Sequence, residues 1–166
     1  MAGSASALAS NAAHDSEATP QLLAALGNER IRVLGQIVGL LTRSAAHQNM
    51  TIADIKTGLL APVMLGQYML AGRSNDHATG SVPVTALIWA RVSDQVDQRL
   101  TQTASAAIDL SAEEWRSGDI VWLTEAVGDL RAIPEMIERL RATDPKICAI
   151  RVATPGADGK IAVRTL

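Results

Sequence analysis

The most constraining feature of this sequence is a nearly unbroken apolar stretch, VPVTALIWARV, over residues 82–92. A strand with one wet face alternates apolar and polar residues, whereas a continuous run of aliphatic and β-branched residues is typical of a strand covered on both faces. The stretch therefore predicts a central strand with other elements packed on each side of the sheet. Trp89, which lies within it, should be buried.

Composition restricts both the core and the partners. A chain of 166 residues, 48% hydrophobic and 19% charged, fits one globular domain, and with aromatic residues at 2% and no Phe its core must be mainly aliphatic. A formal net charge of −2 argues against nucleic acid as the principal ligand, because nucleic-acid binders neutralise phosphates with a basic face. The one cysteine, Cys148, cannot form an internal disulfide.

The first residues differ from the rest of the chain. Residues 1–18 are rich in Ala, Ser and Asn without apolar periodicity, which predicts a disordered tail before a domain over residues 19–166. They lack the basic start and the apolar stretch of a secretion signal, so we expect a cytoplasmic protein. The longest apolar region, residues 59–71, is interrupted and shorter than the roughly 20 residues that cross a bilayer, so no transmembrane segment is expected.

The remaining patterns alternate between helical and extended spacing. A short helix is predicted from Pro20 to Gly27, followed by an amphipathic helix whose buried face carries Ile31, Leu34, Ile37, Val38 and Leu41. Further helices are expected after Thr51, after Ser93 and at Pro134, and Ser111 with Glu114 has capping-box spacing. Strands are expected at residues 68–70, 82–92, 119–127, 147–152 and 161–163. This order predicts a single α/β (α+β) domain with a central mixed sheet flanked by helices.

Three stretches carry sequence motifs. They are LGQIVGLLTRSAAHQNMTIADI over residues 34–55, LLAPVMLGQYMLA over residues 59–71 leading to IWARVS over residues 88–93, and EWRSGDIVWLTEAV over residues 114–127. Together they resemble the RTX toxin-activating lysine acyltransferases of the haemolysin-activating protein C type. The most specific match is the spacing Trp-x-Ser-Gly-Asp-x-x-Trp, from Trp115 to Trp122, and Ser44 and His47 match the family's Ser-x-x-His segment.

The resemblance implies a fold and a reaction. Members of this family are similar in fold to GNAT acetyltransferases, and they acylate internal lysines of RTX protoxins with acyl carrier protein as donor. It implies an acyl-acyl carrier protein co-substrate, no tightly bound cofactor, no metal and an RTX-type protein partner. Homodimers occur among similar proteins, and the sequence leaves open whether this chain forms one. One departure is that Glu125 stands where the family usually has an aspartate.

The chemistry of lysine acylation suggests roles for the matched residues. A lysine amine with a pKa near 10.4 is almost fully protonated at neutral pH, so its attack on a thioester requires a base. His47 is the candidate base and Glu125 the candidate partner that orients the imidazole and stabilises its charged form. Ser44, Asp119 and Trp122 are candidate supporting residues, Ser44 as a hydrogen-bond donor, Asp119 as a shaper of the Ser-Gly-Asp turn and Trp122 as core.

Other residues have plainer interpretations that stay open. Judged alone, a loop histidine such as His47 is usually a surface or capping residue. Cys148 lies on an apolar pattern and is expected to be an inert buried thiol. An acyl groove along Leu59, Leu60, Val63, Met64, Leu65 and Met69 competes with ordinary core packing. Arg43, Arg91 and Arg151 are candidates to contact the acidic donor protein.

Two further functions remain open at this stage. A homologue that keeps the fold but has lost turnover would act as a binding or regulatory module, which the replacement at Glu125 makes plausible. A small-molecule N-acyltransferase using acyl-coenzyme A would fit the same fold type, although the sequence has no glycine-rich pyrophosphate loop.

The carboxylate at position 125 gives a direct test. We expect Glu125→Gln to lower the rate of acyl transfer by on the order of ten- to a hundredfold, because it replaces a charged hydrogen bond to the imidazole with a neutral one. Glu125→Asp keeps the charge and should lose less. Rates measured with an acyl carrier thioester and an acceptor protein compare the two variants, and wild-type rates in both would reject the role.

Overall fold

The computed structural model describes residues 4–74, 81–105, 108–156 and 160–166. Its core is one five-stranded sheet in the order β1-β2-β3-β4-β5. The strands are β1 (Tyr68–Ser74), β2 (Ser81–Val92), β3 (Ile120–Gly128), β4 (Ile150–Pro155) and β5 (Ile161–Thr165). Neighbouring strands are antiparallel except β3 and β4, which are parallel. The predicted mixed sheet is confirmed.

Helices cover both faces of the sheet. They are α1 (Ser4–Leu41), a 3-10 turn (Ala45–His47), α2 (Ile52–Ile55), which continues through a π-helical turn (Lys56–Leu60) into α3 (Ala61–Leu65), then α4 (Asp94–Thr103) and α5 (Ile133–Thr143). α1, α3 and α4 contribute to the apolar clusters on one face, and α5 to the cluster on the other. The architecture is a three-layer α/β domain, consistent with a single GNAT-like domain, as the sequence predicted.

β2 is the central strand of these layers. Ala86 and Ile88 pack against α1 and α3, whereas Leu87 and Trp89 point to the opposite face and pack with α5. Every residue from 85 to 90 is buried, and the hydroxyl of Thr85 donates to the backbone oxygen of Asp129 at 2.9 Å. The prediction of a strand covered on both sides, with Trp89 buried, is confirmed.

α1 differs from the sequence-based expectation. It is continuous through Pro20 and Gly27, so the predicted break at Gly27 is wrong: a single glycine costs a helix only about 1 kcal/mol and does not have to end it. Its buried face carries Val33, Ile37, Leu40 and Leu41, whereas Ile31 is 58% exposed. Because the side chains before Pro20 lie outside the described part of the chain, the predicted disorder of residues 1–18 stays a prediction.

Two local predictions nearer the C-terminus are also wrong. Ser111 and Glu114 form a turn instead of starting a helix, although the backbone N–H of Ser111 does donate to the Glu114 carboxylate at 2.9 Å. Cys148 is exposed, because β4 begins only at Ile150 and residues 148 and 149 lie at the surface between the buried Ile147 and the strand. Pairing with neighbouring strands decides where β4 begins, and the apolar pattern alone placed its beginning too early in the sequence.

The parallel pair is held over a short distance. β3 and β4 pair through Val121, Trp122 and Leu123 of β3, and α5 makes the crossover between the two strands. Beyond Leu123, β3 continues to Gly128 paired with β2. The second half of β3 therefore has β2 as its paired neighbour, and this half carries Glu125.

Gly128 provides a stability test of this strand end. It adopts φ of +102°, and a Cβ added there would lie 2.0 Å from the backbone oxygen of Val84. We expect Gly128→Ala to lower the free energy of unfolding by about 2–4 kcal/mol, from backbone strain together with the clash. Gly35→Ala is the matched control, since a Cβ on that exposed helical residue meets nothing within 4 Å. Urea unfolding should find the control unchanged or more stable, and an equal loss in both would contradict the expectation.

Candidate active site

The imidazole of His47 lies between two polar side chains. Its Nε2 atom is 3.1 Å from Oε2 of Glu125, across 78 residues of sequence, and its Nδ1 atom is 2.8 Å from Oγ of Ser44. Both members of the His–Glu pair are mostly shielded, with 17% and 27% of their side chains exposed. The structure thus brings together three of the residues that the sequence analysis selected.

Backbone hydrogen bonds fix the loop that carries His47. After α1, the His47 N–H donates to the Ser44 oxygen and the Met50 N–H donates to the His47 oxygen, each at 3.0 Å. The predicted capping box at Thr51 and Asp54 is present and starts α2 directly after this loop. The histidine is therefore held at a helix-to-helix connection with defined entry and exit.

A β-bulge in β3 turns Glu125 toward this loop. The register with β2 runs from Trp89↔Leu123 to Ile88↔Glu125, so Thr124 is an extra residue opposite β2. In a regular strand Glu125 would share the face of Leu123, which packs with α5. The extra residue reverses the alternation, and Glu125 and Val127 instead face the α1 layer. Bulges commonly re-aim a side chain in this way next to active sites.

Hydrogen-bonding capacity indicates the tautomer of His47. An ionised carboxylate only accepts hydrogen bonds, so the Glu125 contact assigns the ring proton to Nε2. When the ring is neutral, Nδ1 is then the unprotonated nitrogen and accepts from the hydroxyl of Ser44. The other carboxylate oxygen of Glu125 accepts from the N–H of Ala126 at 2.9 Å, which holds the carboxylate in place. In the neutral form of the ring, the basic nitrogen therefore lies on the Ser44 side.

Two cavities flank this Ser44–His47–Glu125 group. One, of about 410 Å³, is lined by Ser44, by the charged residues Arg43, Arg73 and Asp129, and by apolar side chains (Leu40, Val82, Pro83 and Val84). Hydrogen bonds from the Arg131 side chain, and then from its backbone N–H, lower the pKa of the Asp129 carboxyl to about 2. The other cavity, of about 270 Å³, is lined by His47 and mostly apolar side chains. The cavity with charged walls thus lies beside Ser44, and the mainly apolar cavity lies beside His47.

A family model describes nearly the whole of this domain. Residues 27–164 match the RTX toxin acyltransferase family, a span that includes Ser44, His47 and Glu125. The chain belongs to the RTX toxin acyltransferase family. The resemblance read from its motifs is thereby confirmed.

Individual relatives of this chain are 25% to 30% identical to it over the matched residues. A protein-lysine palmitoyltransferase of Bordetella bronchiseptica and one of Bordetella parapertussis are each 30% identical over 92 residues, which is 55% of this chain. The match spans 45% of the length of those two proteins. An uncharacterized protein of Synechocystis is 25% identical over 117 residues, covering 70% of this chain and 75% of its own length.

The Trp-Arg-Ser-Gly-Asp segment of the family motif docks on the end of β2. The N–H groups of Ser117 and Gly118 both donate to the Arg91 oxygen, and the Ser117 hydroxyl accepts from the N–H of Ser93 at 3.0 Å. A Cβ on Gly118 would lie 2.5 Å from the Val92 oxygen, so this close approach requires glycine. Asp119 is exposed and lines a separate cavity of about 700 Å³ before the start of β3, away from Glu125. The turn is held by Ser117 and by the backbone.

Trp122 is joined to a carboxylate that the sequence analysis missed. Its indole N–H donates to Oδ1 of Asp97 at 2.8 Å, and Nε of Arg151 is 2.7 Å from the same oxygen. Asp97 lies in the first turn of α4, where an acidic residue is ordinarily read as a helix-dipole partner. Only the packing of α4 on β3 reveals it as a buried link between three elements.

The other predicted contacts are distributed differently. Three arginines were proposed for donor binding. Arg91 pairs with Asp144 and Arg151 pairs with Asp97. Arg43 instead lines the polar cavity beside Ser44. Leu59 and Val63 are fully buried core residues, which favours the plainer interpretation of the predicted acyl groove.

Among the described residues no group of three His, Cys, Asp or Glu side chains is arranged to hold a metal ion. Within the same ranges, no helix combines the length and apolarity that crossing a bilayer requires.

The Asp97 link gives a stability prediction. We expect Asp97→Ala to lower the free energy of unfolding by about 1–3 kcal/mol, because it leaves a buried indole N–H without its acceptor and the Arg151 charge without its partner. Asp97→Asn keeps an acceptor for the indole and should lose less. Glu138→Ala, which breaks a largely exposed ion pair with Arg141, serves as the control. Thermal unfolding ranks the three variants, and equal melting temperatures would contradict a structural role for Asp97.

Proposed function

We propose that this chain transfers a fatty acyl group from acyl carrier protein to the side-chain amine of an internal lysine in an RTX-type protein. Membership of the RTX toxin acyltransferase family supports the reaction class and the kind of substrate. The observation that carries the catalytic part is the contact between His47 and Glu125, two residues far apart in sequence that meet beside two cavities. The Bordetella relatives are protein-lysine palmitoyltransferases, an activity of the same kind.

The reaction forms an amide and breaks a thioester. The lysine nitrogen attacks the thioester carbon, the carbon–sulfur bond breaks, and one proton leaves the nitrogen as the leaving thiolate forms. The attacking group is the free amine, which has first released its ammonium proton to solvent. His47 Nδ1 accepts the proton that leaves the nitrogen during attack, and the imidazolium gives it to the thiolate sulfur, so from the free amine onward no proton is gained or lost. A general base of this kind contributes about 10²- to 10⁴-fold to a rate.

Glu125 and Ser44 support the base in different ways. Glu125 accepts a hydrogen bond from the Nε2 N–H, which holds the productive tautomer, and its charge stabilises the imidazolium that forms during transfer. The Ser44 hydroxyl lies between His47 Nδ1 and the polar cavity, so an amine in that cavity passes its proton through Ser44 or replaces Ser44 as the hydrogen-bond partner of Nδ1. Ser44 is in this proposal a positioning residue and not a nucleophile.

The donor is proposed to approach from the polar side. Arg43 and Arg73 line that cavity, and guanidinium groups suit the phosphate of a carrier-protein arm and the acidic surface of the carrier itself. The same groups would accept the phosphates of acyl-coenzyme A, so donor identity needs a direct comparison. Cytoplasmic acyl carrier protein would supply the donor, in keeping with the localisation expected from the sequence.

The test is a transfer assay with matched variants. The purified chain, palmitoyl-acyl carrier protein and an RTX-type protoxin from the same genome are incubated, and intact and peptide mass spectrometry locates any fatty amide on lysine. We expect His47→Ala to lower the rate by about 10²-fold or more, from loss of the base. Ser44→Ala should lose about tenfold or less, the value of one hydrogen bond.

Controls separate chemistry from folding and identify the donor. His77→Ala removes a histidine that the proposal does not use and should transfer at the wild-type rate, while circular dichroism checks that His47→Ala is folded. Palmitoyl-coenzyme A in place of the carrier thioester tests the small-molecule alternative. Absence of any lysine amide with the wild-type chain would overturn the proposed function, and an acyl group retained on Ser44 would replace the base mechanism with a covalent one.

A further inference from the structure

The apolar cavity beside His47 has no role in the proton transfer just described. Its walls are the apolar side chains of Val38 and Leu41 from the end of α1, Met50 from the loop and Ile55 from α2. Thr42, Gln48 and the His47 ring complete its lining. Among the described residues that line it, His47 is the only one with an ionisable side chain. A cavity of this composition suits an apolar ligand that reaches the imidazole.

We propose that this cavity holds the acyl chain of the donor thioester and that Val38 and Met50 determine which chain lengths the enzyme accepts. The inference rests on the proposed function, because it requires a thioester carbon next to His47. An acyl chain is bonded directly to that carbon, so its first methylenes must leave the reaction centre along a surface that touches His47. The apolar cavity is such a surface.

The charges around the site decide between the two cavities. The polar cavity presents Arg43, Arg73 and Asp129 beside apolar side chains (Leu40, Val82, Pro83 and Val84), so methylenes that enter it would displace water from the charged groups without replacing its hydrogen bonds. In the apolar cavity the same methylenes meet aliphatic side chains and gain hydrophobic contact. The acyl chain therefore occupies the His47 side, and the charged part of the donor occupies the Ser44 side.

The volume of the cavity limits the chain that it can enclose. At about 270 Å³ it has room for roughly nine groups of the size of a water molecule, whose share of liquid volume is about 30 Å³, and a methylene group is of similar size. Each enclosed methylene raises affinity by about fourfold. We therefore expect affinity to rise with chain length up to about decanoyl and to change little for the additional carbons of palmitoyl, which extend beyond the cavity.

Val38 and Met50 are suited to setting this limit. Val38 is a half-buried residue on a helix, so its position is fixed by the backbone of α1. Met50 lies in the loop that begins at His47 and has a flexible side chain that adapts to different ligands. A larger residue in place of Val38 shortens the cavity, whereas a smaller residue in place of Met50 lengthens it.

The experiment measures chain-length preference in the full-length protein. Hexanoyl-, decanoyl- and myristoyl-acyl carrier proteins are offered as donors to the wild type and to the variants Val38→Phe and Met50→Ala, and kcat/KM is obtained for each donor. Val38→Phe should lower the decanoyl-to-hexanoyl ratio by about tenfold or more, since it removes room for at least two methylenes. Met50→Ala should raise the myristoyl-to-decanoyl ratio by about fourfold or more.

A size-matched substitution on the same helix serves as control. Ile31→Phe adds an aromatic ring at an exposed position of α1 that does not line the cavity, and its ratios should equal those of the wild type. Thermal unfolding checks that all three variants are folded. If Val38→Phe is not folded, Met50→Ala still tests the inference. Binding of a dansyl-labelled fatty acid is measured in parallel, because it does not depend on turnover.

The outcomes separate this inference from the proposed function. Opposite shifts in the two cavity variants, with none in Ile31→Phe, support the acyl-chain site. Wild-type ratios and wild-type binding of the dansyl-labelled fatty acid in both cavity variants overturn it, while transfer by the wild type still upholds the proposed function. If the wild type transfers nothing, the proposed function fails. In that case weaker binding of the dansyl-labelled fatty acid to Val38→Phe still supports the acyl-chain site. Unchanged binding to this variant overturns the acyl-chain site.

Discussion

The two-sided burial of β2 is the constraint on which the rest of the structure depends. A strand whose side chains are apolar on both faces exposes them to water unless a layer covers each face, and this chain supplies α1, α3 and α4 on one side and α5 on the other. The same strand pairs with β1 and β3 and receives the Ser-Gly segment at Arg91. Family motifs that are distant in sequence thus converge on β2.

The candidate site is built where two of these layers meet. His47 comes from the loop after α1, on one face of the sheet, and Glu125 comes from β3, within the sheet. Their contact requires the bulge at Thr124, because a regular β3 would direct Glu125 into the layer of α5. An irregularity of one residue therefore decides whether the carboxylate reaches the imidazole, and a stable core around it holds the irregularity in place.

The structure separates the family motif into parts with different roles. Trp115, Ser117 and Gly118 join the segment before β3 to the end of β2, and Trp122 is tied through Asp97 to Arg151. These residues maintain the fold that positions β3. Ser44, His47 and Glu125 form the polar group between the two cavities, so the residues proposed for chemistry are few and lie on one side of the sheet.

The sequence by itself determined the fold class, the central strand, the capping box at Thr51 and the motif residues, because these depend on local spacing and on apolar periodicity. It misjudged the course of α1 at Gly27 and the burial of Cys148, where helix continuation and strand pairing override local signals. Only the tertiary structure decided that Glu125 faces His47, that Asp97 is a buried partner of Trp122, and that a polar cavity lies beside Ser44 and an apolar one beside His47. Each of these depends on strand register or on packing between distant segments, and a linear pattern does not encode them.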